Sequence, residues 1–164
     1  MKKNTLLIVI AIMAAFAALT SCGNSNETEK MLNGSWSCDM PVQSVGSGTC
    51  VWDLNSSDHM LKAQMSTSLM GLNNCLSLTI EGKWSATPDS LTFTIDPEKF
   101  DFKISDELLS QIETMGMSKD EFYKNAEENL RKEFGTTSSM ALSNLSDSTF
   151  TVTDNYISMN FTRK

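Results

Sequence analysis

The chain has 164 residues with 13 basic and 20 acidic side chains, a formal net charge of −7. Without Lys2 and Lys3 in the N-terminal segment, 11 basic residues face the same 20 acidic ones, a net charge of about −9. This acidic balance argues against binding to nucleic acid or to anionic lipid headgroups. The length suits one domain with one hydrophobic core.

The N-terminal segment, residues 1–21, is predicted to be a signal peptide. Two lysines precede the apolar run 6–19, which is too short to span a membrane as a stable helix. The segment ends in Leu-Thr-Ser before Cys22, which resembles the lipobox of bacterial lipoproteins. The resemblance implies cleavage before Cys22 and acylation of its thiol, and buried acyl chains hold a protein to a membrane. An ordinary secretory signal with an incidental cysteine is the alternative.

Gly23, where some lipoproteins carry Asp, resembles lipoproteins that are sent on to the outer membrane. We therefore expect a lipid-anchored protein of the bacterial cell envelope at the outer membrane, with the face that it occupies left open. Residues 22–30 are polar and are predicted to form a flexible tether. Residues 31–164 are predicted to form the folded domain.

Short runs in which apolar and polar residues alternate follow Trp36, separated by turn residues, and this pattern predicts an antiparallel meander. The clearest run is 76–84, in which the apolar residues, Gly82 and Trp84 share one parity. Similar runs predict about eight strands. That number in up-and-down order is enough to close a small barrel with an apolar interior.

Between residues 105 and 135 the apolar period becomes helical. Ser105 is positioned as an N-cap, and Ser118 to Glu121 fits a capping box for a second helix that ends at Gly135. The sequence therefore predicts a mainly β protein, an antiparallel up-and-down barrel of about eight strands, with an αα-hairpin inserted near residues 105–135.

The segment Gly34-Ser35-Trp36 on the first strand resembles the GxW signature of lipocalin and related calycin barrels. A second match at 82–84 and the layout of the later strands resemble the small lipocalin-like lipoproteins of bacteria. In that family the tryptophan plugs the closed end of the barrel against a basic residue near the chain's end, which implies barrel closure by Gly34, Trp36 and Arg163. The helical hairpin departs from the family's single terminal helix, so a half-open barrel is an alternative.

Three cysteines remain after Cys22. Parity and a hairpin through 41–48 would set Cys38 opposite Cys50, and a disulfide between them is predicted, since disulfides persist outside the cytosol. Cys75 lies off-phase from its neighbours and would then be a free thiol. A Cys50 to Cys75 bridge is the competing pairing.

Few residues point to catalysis. His59 is the only histidine, beside Asp58 in a predicted turn, and is expected to be solvated, so nothing singles out a catalytic triad. We expect no enzyme activity, no cofactor and no metal. Inward methionines, Met65, Met140 and Met159, are expected to fill the core, with an adaptable ligand cavity or a copper site as the less favoured alternatives.

The leading functional hypothesis is a non-enzymatic, membrane-anchored barrel that binds a small apolar or amphipathic molecule. The alternative is a protein-binding module or enzyme inhibitor that uses its loops or its helical hairpin. For the first hypothesis, the candidate wall of the ligand site consists of Trp52, Leu61, Met65, Leu78, Phe93 and Phe150.

Overall fold

A computed structural model describes residues 25–40, 46–69, 71–154 and 157–164. The predicted signal peptide 1–21, the lipidation site Cys22 and Gly23 lie outside these described residues. The strands form one closed, antiparallel barrel in which each strand pairs with the next along the chain and the last pairs with the first, which confirms the predicted fold class. They are β1 (Gly34–Met40), β2 (Gly46–Asn55), β3 (Met60–Leu69), β4 (Leu72–Thr87), β5 (Ser90–Ile104), β6 (Thr137–Ser143), β7 (Thr149–Thr153) and β8 (Ser158–Arg163).

The register of the strands follows from the alternation of side chains. In β2 the inward residues Cys50, Trp52 and Leu54 are buried, whereas Thr49 and Asp53, which have the opposite parity, are exposed. A slip of one residue would turn the apolar set of a strand toward water, so the apolar interior fixes the pairing.

The helices are α1 (Ser25–Leu32), α2 (Asp106–Thr114) and α3 (Lys119–Glu133). The last two form the predicted hairpin between β5 and β6, and each begins at the predicted cap. Ser105 Oγ accepts a hydrogen bond from the Leu108 amide, and Ser118 Oγ accepts one from the Glu121 amide. No helix in the described part of the chain has the length and apolarity needed to cross a membrane.

Helix α1 corrects the predicted tether. Residues 25–30 of the expected flexible segment 22–30 are helical, and Thr28 and Glu29 are buried. The reason is that β4 extends past the end of β3, and Glu29 Oε1 accepts a hydrogen bond from the Ala86 amide there. The other carboxylate oxygen lies 3.2 Å from His59 Nε2, so His59 has a partner instead of only water. This polar segment is thus ordered because the Glu29 carboxylate bonds to groups of the barrel.

An aromatic cluster fills the end of the barrel next to α1, which we call the floor. Trp36 is fully buried and its indole N–H donates to the Leu32 carbonyl at 2.6 Å. Its ring meets Phe150 edge-on at 4.8 Å, and Phe150 stacks on Phe161 at the same spacing. Trp52 lies 4.4 Å from Phe161 and continues the cluster inward. Such ring pairs add to the stabilisation that comes from burial alone.

Arg163 lies over Trp36 as the family resemblance implied, with its guanidinium carbon 4.1 Å from the ring centre. The guanidinium also donates to the carbonyls of Met31, Asn33 and Asp147 at 2.6 to 2.9 Å. One side chain therefore binds the segment before β1 and the loop after β6, in addition to a cation–π contact worth about 0.5–2 kcal/mol.

The glycine of the GxW segment is required by this arginine. Gly34 has φ +135°, a conformation that other residues rarely adopt, and a Cβ atom there would lie 2.5 Å from Arg163 Nη1. Arg163 has little freedom to move aside, because the same Nη1 donates to the Asn33 carbonyl.

We predict that Trp36→Ala lowers the free energy of unfolding by about 3–5 kcal/mol, the range for truncation of a buried aromatic. The substitution removes the centre of the floor cluster and one face of Arg163. Urea unfolding followed by far-ultraviolet circular dichroism measures the loss. Trp36→Phe, which keeps a ring but not the indole N–H, should lose less, and an alanine variant as stable as wild type would contradict the structural role.

Candidate functional site

The end of the barrel opposite the floor, which we call the mouth, has a different lining. Helix α3 covers it, and beneath the helix lies a largely apolar pocket rich in sulfur, the mouth pocket. Four of its residues are methionines, whose unbranched thioethers adapt to irregular spaces. The mouth pocket is lined by Met40, Cys50, Trp52, Leu61, Ala63, Met65, Leu78, Ile80, Phe93, Ile95, Leu130, Glu133, Phe134, Met140 and Met159.

The mouth pocket is almost filled by its own side chains. Its cavity has a volume of about 30 Å³, enough for one or two water molecules. Pockets for small organic ligands typically measure about 300–1,000 Å³. With α3 in place the pocket therefore has no room for such a ligand.

Most of the predicted ligand wall meets in this pocket. Trp52, Leu61, Met65, Leu78 and Phe93 all line it. The sixth predicted residue, Phe150, instead belongs to the floor, where its ring packs between the rings of Trp36 and Phe161. Inward parity predicted which side chains point into the barrel, because it separates the two faces of a strand, but it does not give the height of a residue along the barrel.

Sequence reasoning missed the contribution of α3. Leu130 and Phe134 cover the pocket, and Glu133 places a carboxylate at its lining. The apolar residues of α3 recur at helical spacing, which indicates a buried face. That spacing does not show which end of the barrel the face packs against.

Helix α3 packs on strand β5 and on helix α2. The rings of Phe134 and Phe100 meet edge-on, with their centres 5.4 Å apart. The guanidinium carbon of Arg131 lies 4.7 Å from the centre of the Phe100 ring. Arg131 also donates to the Pro97 carbonyl at 2.9 Å, and the Tyr123 hydroxyl donates to the backbone of the same strand. The strand needs this cover because β6 pairs only with its first third, Ser90 to Thr94, and leaves the remaining edge without a strand partner.

Cys38 and Cys50 lie directly opposite each other on β1 and β2, as predicted. Both are free, buried thiols, so the predicted disulfide is absent from the structure. The neighbouring Cys50 thiol lowers the pKa of Cys38, whereas the interaction with Cys38 together with burial raises the pKa of Cys50. Register brings the sulfurs together, but their oxidation state depends on the redox potential around the protein, which residue parity does not report.

The competing bridge between Cys50 and Cys75 does not fit this register. Strand β3 lies between the strands that carry the two residues, a separation of about 10 Å, and a disulfide joins Cα atoms about 4.4–6.8 Å apart. The Cys75 sulfur instead donates to the Thr67 carbonyl at 3.5 Å.

The described residues contain no group of three or more His, Cys, Asp or Glu side chains that could hold a metal ion. The imidazole ring of His59 contacts the Glu29 carboxylate and the Trp84 ring. These partners hold α1 on the floor and fit a structural role.

In comparisons with known proteins, no protein-family model matches the chain and no curated protein matches it in sequence. The resemblance to lipocalin-like lipoproteins therefore stays a prediction. It depends on the short motifs at 34–36 and 82–84 and on the lipobox.

We predict that Phe134→Ala detaches the C-terminal part of α3 from the mouth. The loss of a buried ring should cost about 3–5 kcal/mol, and most of it should appear as local opening because β5 is the strand on which α3 mainly packs. Hydrogen exchange of backbone amides should become faster in α3 and in residues 95–104, with β2 and β3 unchanged. Lys132→Ala, a substitution of an exposed residue on the same helix, is the control. Equal protection of the α3 amides from hydrogen exchange in both variants would contradict the prediction.

Proposed function

We propose that this chain is a lipid-anchored protein of the bacterial cell envelope that binds a small apolar or amphipathic molecule in the mouth pocket and catalyses no reaction. The observation that carries the proposal is the contrast between the two ends of the barrel. The floor is a set of interlocked rings, whereas the lining of the mouth includes four methionines among other apolar side chains beneath a helix. The end of the interior that contains the adaptable methionine side chains is thus the end that is covered by α3.

Binding requires that α3 moves, because the cavity of about 30 Å³ holds no organic ligand. Exposure of Leu130 and Phe134 would cost roughly 1.5–3 kcal/mol each if each were fully exposed. An apolar ligand that takes their place against the barrel recovers that burial, so it binds the open state and shifts the equilibrium toward it. Thioethers of the lining can then repack around ligands of different shape.

The lining also indicates the chemistry of the ligand. It is apolar apart from Glu133, whose half-buried carboxylate lies beside Phe134 in the cover. An amphipathic molecule with an apolar body and a hydrogen-bond-donating end fits this arrangement: the body occupies the thioether region and the end meets Glu133.

Titration with the apolar fluorophore N-phenyl-1-naphthylamine tests the pocket. Wild type should bind it saturably, and Phe134→Ala should bind it about tenfold more tightly, because the cost of displacing one buried ring is removed. Met140→Trp should block binding by filling the pocket. Ala141→Trp, the same substitution one residue later on the exposed outer face, is the control. Saturable binding that Met140→Trp leaves unchanged, or no saturable binding to any variant, would contradict the proposal.

The anchor is tested separately at Cys22. Wild type expressed in its own cells should partition with outer-membrane vesicles and carry acyl chains on its N-terminal peptide, as measured by mass spectrometry. Cys22→Ala should be released from the membrane, whereas Cys75→Ser should stay anchored. A Cys22→Ala protein that remains bound to membranes would overturn the lipobox interpretation.

A second candidate, a protein-binding module, is favoured by the turn between α2 and α3. In the part of the chain that the structure describes, the large apolar side chains left exposed are Met115 and Met117, each about half exposed. Native mass spectrometry of the protein from its own cells separates the candidates, since it shows either a retained small molecule or a partner chain. A partner lost on replacing both methionines with glutamine, with fluorophore binding kept, would support the second candidate.

A further inference from the structure

Three sulfur-bearing residues form a row across neighbouring strands inside the barrel. Cys38 of β1 pairs with Cys50 of β2, and Cys50 pairs in turn with Met65 of β3. Directly opposed residues on one face of a sheet have Cβ atoms about 4.5–5.5 Å apart. Two thiols and a thioether are thus presented side by side on the inner surface of the barrel.

The two thiols of the row are buried, and the Met65 thioether is partly buried. Cys38 and Cys50 are only 6% and 2% exposed, and both thiols are free. Cys50 and Met65 line the mouth pocket, and so does Met40, two residues after Cys38 on the same face of β1. The cavity beside them measures about 30 Å³, which admits an object the size of a water molecule or a single ion.

The donor set selects one class of occupant. Soft thiolate and thioether ligands favour Cu(I), whereas Mg²⁺ and Ca²⁺ require oxygen ligands. Structural Zn²⁺ takes four ligands from Cys, His and carboxylates, and no further such side chain joins the row among the described residues. From the row, the burial of its two thiols and the size of the cavity beside Cys50 and Met65, we infer that Cys38, Cys50 and Met65 bind one Cu(I) ion.

Charge balance is compatible with this apolar site. Binding of one Cu⁺ with release of one thiol proton leaves a neutral centre, made of the ion, one thiolate, one thiol and one thioether. A neutral centre avoids the cost of an uncompensated buried charge. The copper does not change oxidation state, and no electron is exchanged.

The copper site is independent of the apolar ligand proposed above. A single ion fits the existing cavity, so it requires no displacement of α3, whereas an organic ligand does. The two proposals share lining residues but differ in what must move.

The test is an anaerobic titration of the reduced, lipid-anchored protein in detergent against the coloured Cu(I) complex of bathocuproine disulfonate. Loss of the colour reports transfer of copper, which we expect to stop at one ion per chain. X-ray absorption at the copper edge should show sulfur ligands only. Cys38→Ser and Cys50→Ser should take no copper from the complex, and Met65→Leu should take less than wild type.

Cys75→Ser is the matched control, because Cys75 is equally buried but lies outside the row, and this variant should bind copper like wild type. Circular dichroism of each copper-free variant confirms that it is folded. No transfer to wild type, full transfer to Cys38→Ser or Cys50→Ser, loss of transfer in Cys75→Ser, or a Cys38 to Cys50 disulfide that survives reduction of the folded protein would each overturn the inference. Fluorophore binding, measured without copper, tests the apolar ligand separately.

Discussion

The barrel depends on the contact of Arg163 with Trp36. The seam that closes the sheet is short: β1 and β8 share two ladder pairs, whereas β2 and β3 share ten. One of these two pairs is Trp36 with Arg163 itself. By donating to carbonyls before β1 and after β6, the guanidinium adds at the floor the connections that the ladder lacks. A planar, permanently charged group with several fixed donors suits this task, and the ammonium of lysine does not replace it.

The closed floor leaves the mouth as the end at which the interior can change. Rings at the floor pack against each other in fixed orientations, and α1 seals them from outside. At the mouth, four thioethers and one thiol lie among aliphatic and aromatic side chains beneath the apolar face of α3. Because α3 lies between β5 and β6 in sequence and is not part of any strand pair, it can move without breaking a strand pair of the barrel. The fold thus separates stability at one end from adaptability at the other.

Much of this arrangement could be predicted from local patterns in the sequence. Period-two alternation identified the strands, the serine caps identified α2 and α3, and parity set Cys38 opposite Cys50. These features depend on neighbours in sequence or on one adjacent strand. The burial of Glu29 was not predictable, because it depends on the free Ala86 amide, more than fifty residues away along the chain. The filled mouth and the place of Phe150 at the floor likewise depend on how strands stagger and helices dock.

Helix α1 has a consequence for how the whole molecule is oriented. On the proposed anchor at Cys22, only three Cα steps separate the acylated residue from Ser25, where the helix begins, a reach of about 11 Å at most. The helix itself is packed on the floor through Glu29 and Leu32. If Cys22 is acylated as proposed, so short a connection would hold the floor close to the bilayer and turn the opposite end, with the helical hairpin, toward the aqueous phase. Molecules would then reach the protein from the water side, and its lipid-facing side would be the rigid one.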